Sequence, residues 1–245
     1  MSSFTFKGVS SDTLGLIITR PMIRPTWQPE TEFTPIIGRP RQNSFTKTWY
    51  PNSKLSVRAV IADASPANVR TIYDKLKGYG KLEISTSPDE FVNAYVRLPV
   101  PEAQALMVAE LPIEFECEPF AYSNTASTVN ISSATSYLEI ENNGTVFVDP
   151  TITYVANAAS TAFLFNSKTI TVTTPAEIVE ASYSSSYSIT LDCDAQLAYY
   201  TKPDSSTVGC TQLTSGPFPR MHTGKNYISH SGIAAGQLTF RERWY

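Results

Sequence analysis

The stretch Ile113-Glu114-Phe115-Glu116-Cys117-Glu118-Pro119 constrains the chain more than any other. Ile113, Phe115 and Cys117 alternate with Glu114, Glu116 and Glu118. A period of two is the pattern of a strand with one dry and one wet face. Pro119 ends it, because proline has no N–H to give to a ladder. The composition changes directly afterwards: eight of the fourteen residues from Ser123 to Ser136 are Ser or Thr. The expectation is a domain over residues 1–122, a linker over 123–136 and a second domain over 137–245, an ordinary division for 245 residues.

The two halves differ in charge. Residues 1–122 carry 13 Lys/Arg and 13 Asp/Glu, while the remainder carries 6 and 9, which gives the net −3 of the whole chain. From Ser123 to Thr201 the only Lys or Arg is Lys168. A long segment rich in Ser, Thr, Val and Tyr and poor in charge reads as all-β. Nothing in this balance suits a protein that grips nucleic acid through bulk positive charge. Apolar content of 42% is enough to bury a core.

The amino terminus, Met1-Ser-Ser-Phe-Thr-Phe-Lys, lacks the basic start and apolar run of a signal peptide. No stretch reaches the roughly 18 apolar residues of a membrane helix. Synthesis in a cytoplasm, with Cys117, Cys193 and Cys210 as free thiols, is the expectation. The sequons Asn130-Ile-Ser132 and Asn143-Gly-Thr145 then carry no meaning as glycosylation sites.

In the first half, one segment is convincingly helical. Ser65 is a good N-cap and Pro66 suits the first turn. Val69, Ile72, Tyr73 and Leu76 fall at i, i+3, i+4 and i+7, and Gly78 stops the helix. Strands are expected over Lys81–Thr86 and Glu90–Leu98 around a turn at Ser87-Pro88-Asp89, with Leu106–Cys117 closing the half. Pro21 to Arg41 holds Pro21, Pro25, Pro29, Pro35 and Pro40 and reads as a long irregular arm. Its Trp27 and Phe33 are of types that anchor interfaces. The second half reads as about ten short strands without a helix, including Thr145–Val148 and Ile178–Ala181, in a sandwich of the jelly-roll kind.

Residues that could carry chemistry do not assemble into a set. Glu114, Glu116 and Glu118 share one strand face, which is the pattern of a solvated face and not of an acid–base pair. Cys193, Cys210, His222 and His230 have no common zinc spacing. Asp192 and Asp194 could be an isolated calcium pair. Trp27, Trp49, Trp244 and the tyrosines could stack on sugars or simply fill cores and interfaces. No nucleophile motif or phosphate-cradling glycine loop is present. The expectation is no catalytic, cofactor-binding or metal residue, no cofactor, and a binding or structural protein.

The order of several motifs resembles a known family. Phe4-Thr-Phe-Lys-Gly8, Ser11-Asp-Thr-Leu-Gly-Leu16, the proline-rich arm ending at Ile36-Ile37-Gly38-Arg39, the capped helix with its following hairpin, and Ile113 to Tyr122 are similar to the distal tail proteins of long-tailed, non-contractile bacteriophages. Asn142 to Pro150, Ile189 to Asp192 and Gly216-Pro-Phe-Pro219 leading to Gly224-Lys-Asn226 are similar to the galectin-like sandwich of the larger members. Pro40-Arg41 departs from the second glycine that many relatives carry there.

The resemblance implies a mainly β chain: an α+β ring-forming first domain with one helix, then a galectin-like or jelly-roll β-sandwich. It also implies a non-enzymatic hub in the virion, at the distal end of the tail, made in the bacterial host cytoplasm. A homohexameric ring would join the tail-tube protein to the tail-associated tip protein and the host-adsorption apparatus or baseplate. It would leave a channel for DNA and hold receptor-binding proteins in some cases, without reading nucleic-acid sequence or entering a membrane. The alternative is a carbohydrate-binding adhesin acting through the sandwich. A cell-wall hydrolase lacks its acid–base pair.

Overall fold

The computed structural model describes residues 2–35, 42–46, 50–98, 102–105, 108–134 and 137–245. Strands dominate it. The chain divides into two compact units, Met1–Asn124 with Tyr245, and Thr125–Trp244.

The first unit is built on one antiparallel sheet. Its order is Val9–Ser10, Phe4–Phe6, Gly78–Ile84, Ser87–Arg97, Val108–Cys117, Ser53–Ile61 and Leu16–Ile18. Strand Val108–Cys117 alternates as its sequence dictates, with Ile113, Phe115 and Cys117 buried and Glu114 and Glu116 outward. It does not close the unit at an edge but lies in the middle, paired with Ser53–Ile61 on one side from Ala109↔Ile61 to Cys117↔Ser53. On its other side Val108–Glu110 pairs with Glu102–Ala105, and Glu114–Cys117 pairs with Ser87–Arg97. Pro112 falls between those two stretches, where a central strand can tolerate a proline.

Pro119 interrupts this strand without ending its partnership. Cys117 faces Ala94 and Tyr122 faces Phe91, so five steps of one chain match three of the other. Phe120 takes up the excess at a φ of 78°. The result is an irregular bulge with two extra residues, followed by a resumed strand, Ala121–Ser123.

Helix α1, Pro66–Leu76, forms where its capping signals place it. Ser65 Oγ accepts from Asn68 N at 3.4 Å, and the chain leaves through Gly78 at a φ of 92°. Ile72 and Leu76 are fully buried, and Val69 and Tyr73 pack partly against the same core. Phe4 and Phe6 meet Phe115 edge-on at 5.2 and 5.7 Å within the same core. The hairpin after α1 turns at Ser85–Thr86, earlier than the expected Ser87-Pro88-Asp89, because Ile84 pairs with Ser87 and Pro88 sits at a strand start, where its missing N–H is cheap.

The second unit is a sandwich of two antiparallel sheets. One has six strands, in the order Ser127–Ser132, Ile233–Phe240, Thr151–Ala156, Ser188–Asp192, Leu197–Thr201, Thr207–Gly209. The other has five: Tyr137–Asn142, Gly224–Ser231, Ser160–Phe165, Lys168–Thr173, Thr214–Ser215. Ile152, Tyr154, Ile189, Leu191 and Leu238 from one sheet meet Phe163, Phe165, Ile170, Val172 and Ile228 from the other in a single core. The mainly β class read from the sequence is the class observed.

Three local expectations are corrected. The supposed linker contains Ser127–Ser132, whose whole length pairs with Ile233–Phe240 and whose Ile131 is buried, so a Ser/Thr-rich run here is a strand and not a tether. Ile178–Ala181 is not a strand: Ala176–Glu180 forms a short helix α2, which packs Ile178 into the core. Thr145–Val148 is no regular strand. Thr145 and Val146 donate to the Arg243 carbonyl and only Val148 bridges to Met221.

Candidate functional site

The proline-rich arm behaves differently along its length. Met22 and Trp27 are both 3% exposed and belong to the core of the first unit. Thr86 Oγ1 donates to the Met22 carbonyl at 3.0 Å, and Arg24 pairs with Glu90. Trp27 is therefore an internal residue and not an interface anchor or a sugar platform; prolines hold the chain extended so that its side chains reach their own core. The side chain of Phe33 and the segment 36–41 lie outside the described residues, as does Trp49.

Beyond Trp27 the arm changes character. Thr31–Pro35 pairs with Gln42–Thr46 in an antiparallel hairpin, from Thr31↔Thr46 to Pro35↔Gln42. Pro35 ends its strand, so the prolines do not prevent pairing here. The hairpin forms its own two-stranded sheet and joins no other among the described residues. At the edge of the large sheet, Leu16–Ile18 pairs only with Ser53–Ile61 among the described residues. Ile17 is 52% exposed on it, and Ile23 beside it in sequence is 79% exposed. A hairpin with its own ladder and an edge strand with an exposed Ile are the features of this unit that offer backbone and apolar surface to a partner.

The glutamates of Ile113–Pro119 lie on the outer face of the sheet. Glu116 accepts from Arg97 Nη2 at 2.9 Å and from Asn52 Nδ2 at 3.3 Å. Glu118 accepts from the Tyr79 hydroxyl at 2.9 Å. Burial, then the hydrogen bond to Glu118, pushes the Tyr79 phenol up to about 12. Tyr79 and Tyr95 are opposite each other on adjacent strands, and both are half exposed. These carboxylates are thus woven into cross-strand polar contacts on a tyrosine-bearing face.

The structure does not gather the other candidates. Cys117, Cys193 and Cys210 are free and buried, and burial pushes the Cys117 thiol up to about 12. His222 is exposed whereas Cys193 and Cys210 are buried. Asp192 Oδ1 accepts from Ala195 N at 3.0 Å, and Asp194 pairs with Arg243 at 3.3 Å, so the two aspartates serve their own turn and a neighbouring strand. Among the described residues no cluster of three or more His, Cys, Asp or Glu has metal-binding geometry. No described helix is long and apolar enough to cross a membrane.

What sequence reasoning missed is a polar network in the sandwich. Asn142 and Asn226 are 1% and 0% exposed. Asn142 Nδ2 donates to the Val146 and His222 carbonyls, at 3.0 and 3.3 Å. Asn226 Oδ1 accepts from His222 N at 2.8 Å and its Nδ2 donates to the Gly224 carbonyl at 2.9 Å. Together they fix the loop that leads into Gly224–Ser231. The motif Gly224-Lys-Asn226 was the available signal.

No family model matches the sequence, and no curated protein matches it significantly. Among solved structures, the crystal structure of the Dit protein of SPP1 matches over 100% of both chains with a TM-score of 0.76 and 14% sequence identity. That protein is described as a paradigm of the hub adsorption apparatus in phages infecting Gram-positive bacteria. At this identity the likeness is one of fold, and at that level it agrees with the resemblance carried by the order of the sequence motifs: from end to end, the chain has the fold of a phage Dit protein.

Proposed function

We propose that this chain is a non-enzymatic structural component of a phage tail, a hub at its distal end that joins the tail tube to the tip and host-adsorption apparatus. The observation that carries the proposal is the likeness to the SPP1 Dit protein along the full length of both chains. In this reading the first unit closes a homohexameric ring around a channel for DNA, and the sandwich serves as an outer module for receptor-binding proteins. Head-to-tail contacts close a ring when one surface meets a different surface of the next copy. In this reading the paired strands Thr31–Pro35 and Gln42–Thr46 meet, on the next copy, a different surface such as the edge strand Leu16–Ile18. The near-neutral first half suits repeated contact between copies.

Mass measurement of the purified full chain tests this directly, by light scattering and native mass spectrometry. The expected result is a discrete hexamer, and labelled protein incorporated at one end of assembled tails. A chain that is monomeric at every concentration, stays out of tails and binds cell-wall polysaccharide would instead establish the adhesin.

A further inference from the structure

The sandwich contains a pocket beside the motif Gly216-Pro-Phe-Pro219. It has a volume of about 50 Å³ and is lined by Phe165, Asn166, Lys168, Phe218, Pro219, Arg220 and His222. That is room for a few water-sized groups, the size of a compact polyatomic anion and smaller than a whole sugar. Phe165 and Pro219 are buried, and Phe218 packs partly against the core.

Basic side chains converge there in an otherwise acidic half. The residues from 123 onward carry only 6 Lys/Arg, and two of them, Lys168 and Arg220, line this pocket together with His222. Lys168 is exposed and has no carboxylate partner among the described residues. Arg220 is held on two sides. Its Nε donates to Asp149 Oδ1 at 2.8 Å, and its guanidinium lies 4.0 Å from the centre of the Phe147 ring. Its two Nη nitrogens make no hydrogen bond among the described residues. A guanidinium clamped through Nε presents its remaining N–H groups as a pre-ordered fork, the geometry that suits phosphate. Asp149 does not cancel this charge alone, because Arg243 also approaches its other oxygen at 3.5 Å.

The walls are rigid. Asn166 and Ser167 turn the hairpin between Ser160–Phe165 and Lys168–Thr173 with φ of 43° and 75°. Asn166 Nδ2 donates to Asn226 Oδ1 at 2.7 Å, and Tyr227 N donates to Asn166 Oδ1 at 2.8 Å. The loop carrying Arg220 and His222 is thus tied to the turn carrying Lys168, and little ordering remains to be done on binding.

We infer that this pocket binds a phosphate group, with Arg220 and Lys168 on the anion and Phe218 forming the wall beside it. The site lies wholly within the second unit, and the inference does not depend on ring assembly. Calorimetric titration of the full chain with glucose 1-phosphate, glycerol 3-phosphate, inorganic phosphate and glucose tests it. Saturable binding of the esters that weakens with added salt is expected, with glucose silent. Lys168→Glu, on an exposed side chain, should weaken binding at least about tenfold while the melting curve stays unchanged. Arg220→Lys keeps the charge but loses the fork, and should weaken binding as well. Tighter binding of the esters than of inorganic phosphate supports a phosphorylated polymer as the source, and equal binding supports free phosphate; either supports the anion site. Absence of saturable binding by all three phosphates, or binding undiminished by Lys168→Glu, overturns it.

Discussion

Asn166 and Asn226 hydrogen-bond to each other through their side chains at 2.7 Å, although one sits in the turn after Ser160–Phe165, the other on the strand Gly224–Ser231, and neither is charged. Asn226 is fully buried, and each of its polar atoms is used. Removing one partner of such a set leaves the others stranded, which costs more than the bond itself was worth. Asn226→Ala should therefore destabilise the sandwich by about 2–3 kcal/mol. Denaturant unfolding followed by a probe in the second unit checks this; a loss of a few tenths would show that water replaces the side chain.

Helix α1 gives the corresponding test for the first unit. Ile72 is fully buried beneath the helix. Ile72→Ala should cost roughly 2–5 kcal/mol, the range for a buried aliphatic that leaves a cavity. The same substitution at Lys75, on the exposed side, should change stability by less than about half a kcal/mol.

Gly232 sits alone between Gly224–Ser231 of one sheet and Ile233–Phe240 of the other, so the chain changes sheets there. Its φ is +77°, and a Cβ at this position would stand 2.4 Å from the Ser160 carbonyl oxygen. Gly232→Ala should destabilise by more than about 1 kcal/mol, with the conformational strain and the clash acting together. A melting temperature equal to that of the parent would contradict this geometry.

Burial of Cys117 raises its thiol from 9.0 to about 12. Between those values the unfolded chain loses the proton and the folded chain keeps it. The unfolded state then binds fewer protons, so this contribution is complete below pH 9 and declines as pH rises toward 12. Cys193 is shifted in the same direction, by burial first and then by Asp149 and Asp192. Stability should therefore fall across pH 9–11. Iodoacetamide at pH 8 should label the thiols at a rate that tracks unfolding; rapid labelling of folded protein would show an accessible thiolate.

The sequence carried the parts of the fold whose causes are local. Ser65, Pro66 and the stripe Val69, Ile72, Tyr73, Leu76 define α1 without reference to anything distant. The alternation at Ile113, Phe115 and Cys117 names the buried face, but not the central place of its strand, because that depends on which other strands pair with it. Ile178-Val179-Glu180-Ala181 was misread because four residues cannot separate a buried turn of helix from a strand. Trp27 was misplaced for the opposite reason: a tryptophan among prolines looks available, and only its packing against distant residues makes it core. The pocket at Lys168 and Arg220 was illegible because two separate loops build it, each unremarkable alone.

The independence of the hairpin Thr31–Thr46 has a consequence for how such a chain can change over generations. A buried residue of Val108–Cys117, such as Ile113 or Phe115, answers to strands on both sides and to a core, so most replacements there are lost through misfolding before any partner meets them. The strands Thr31–Pro35 and Gln42–Thr46 share their backbone ladder only with each other among the described residues. Their amino acids can drift, lengthen or be exchanged while the body still folds. A change in that ladder leaves the hydrogen bonds of the large sheet untouched, so adaptation to a new neighbour meets less resistance there than in the central strands.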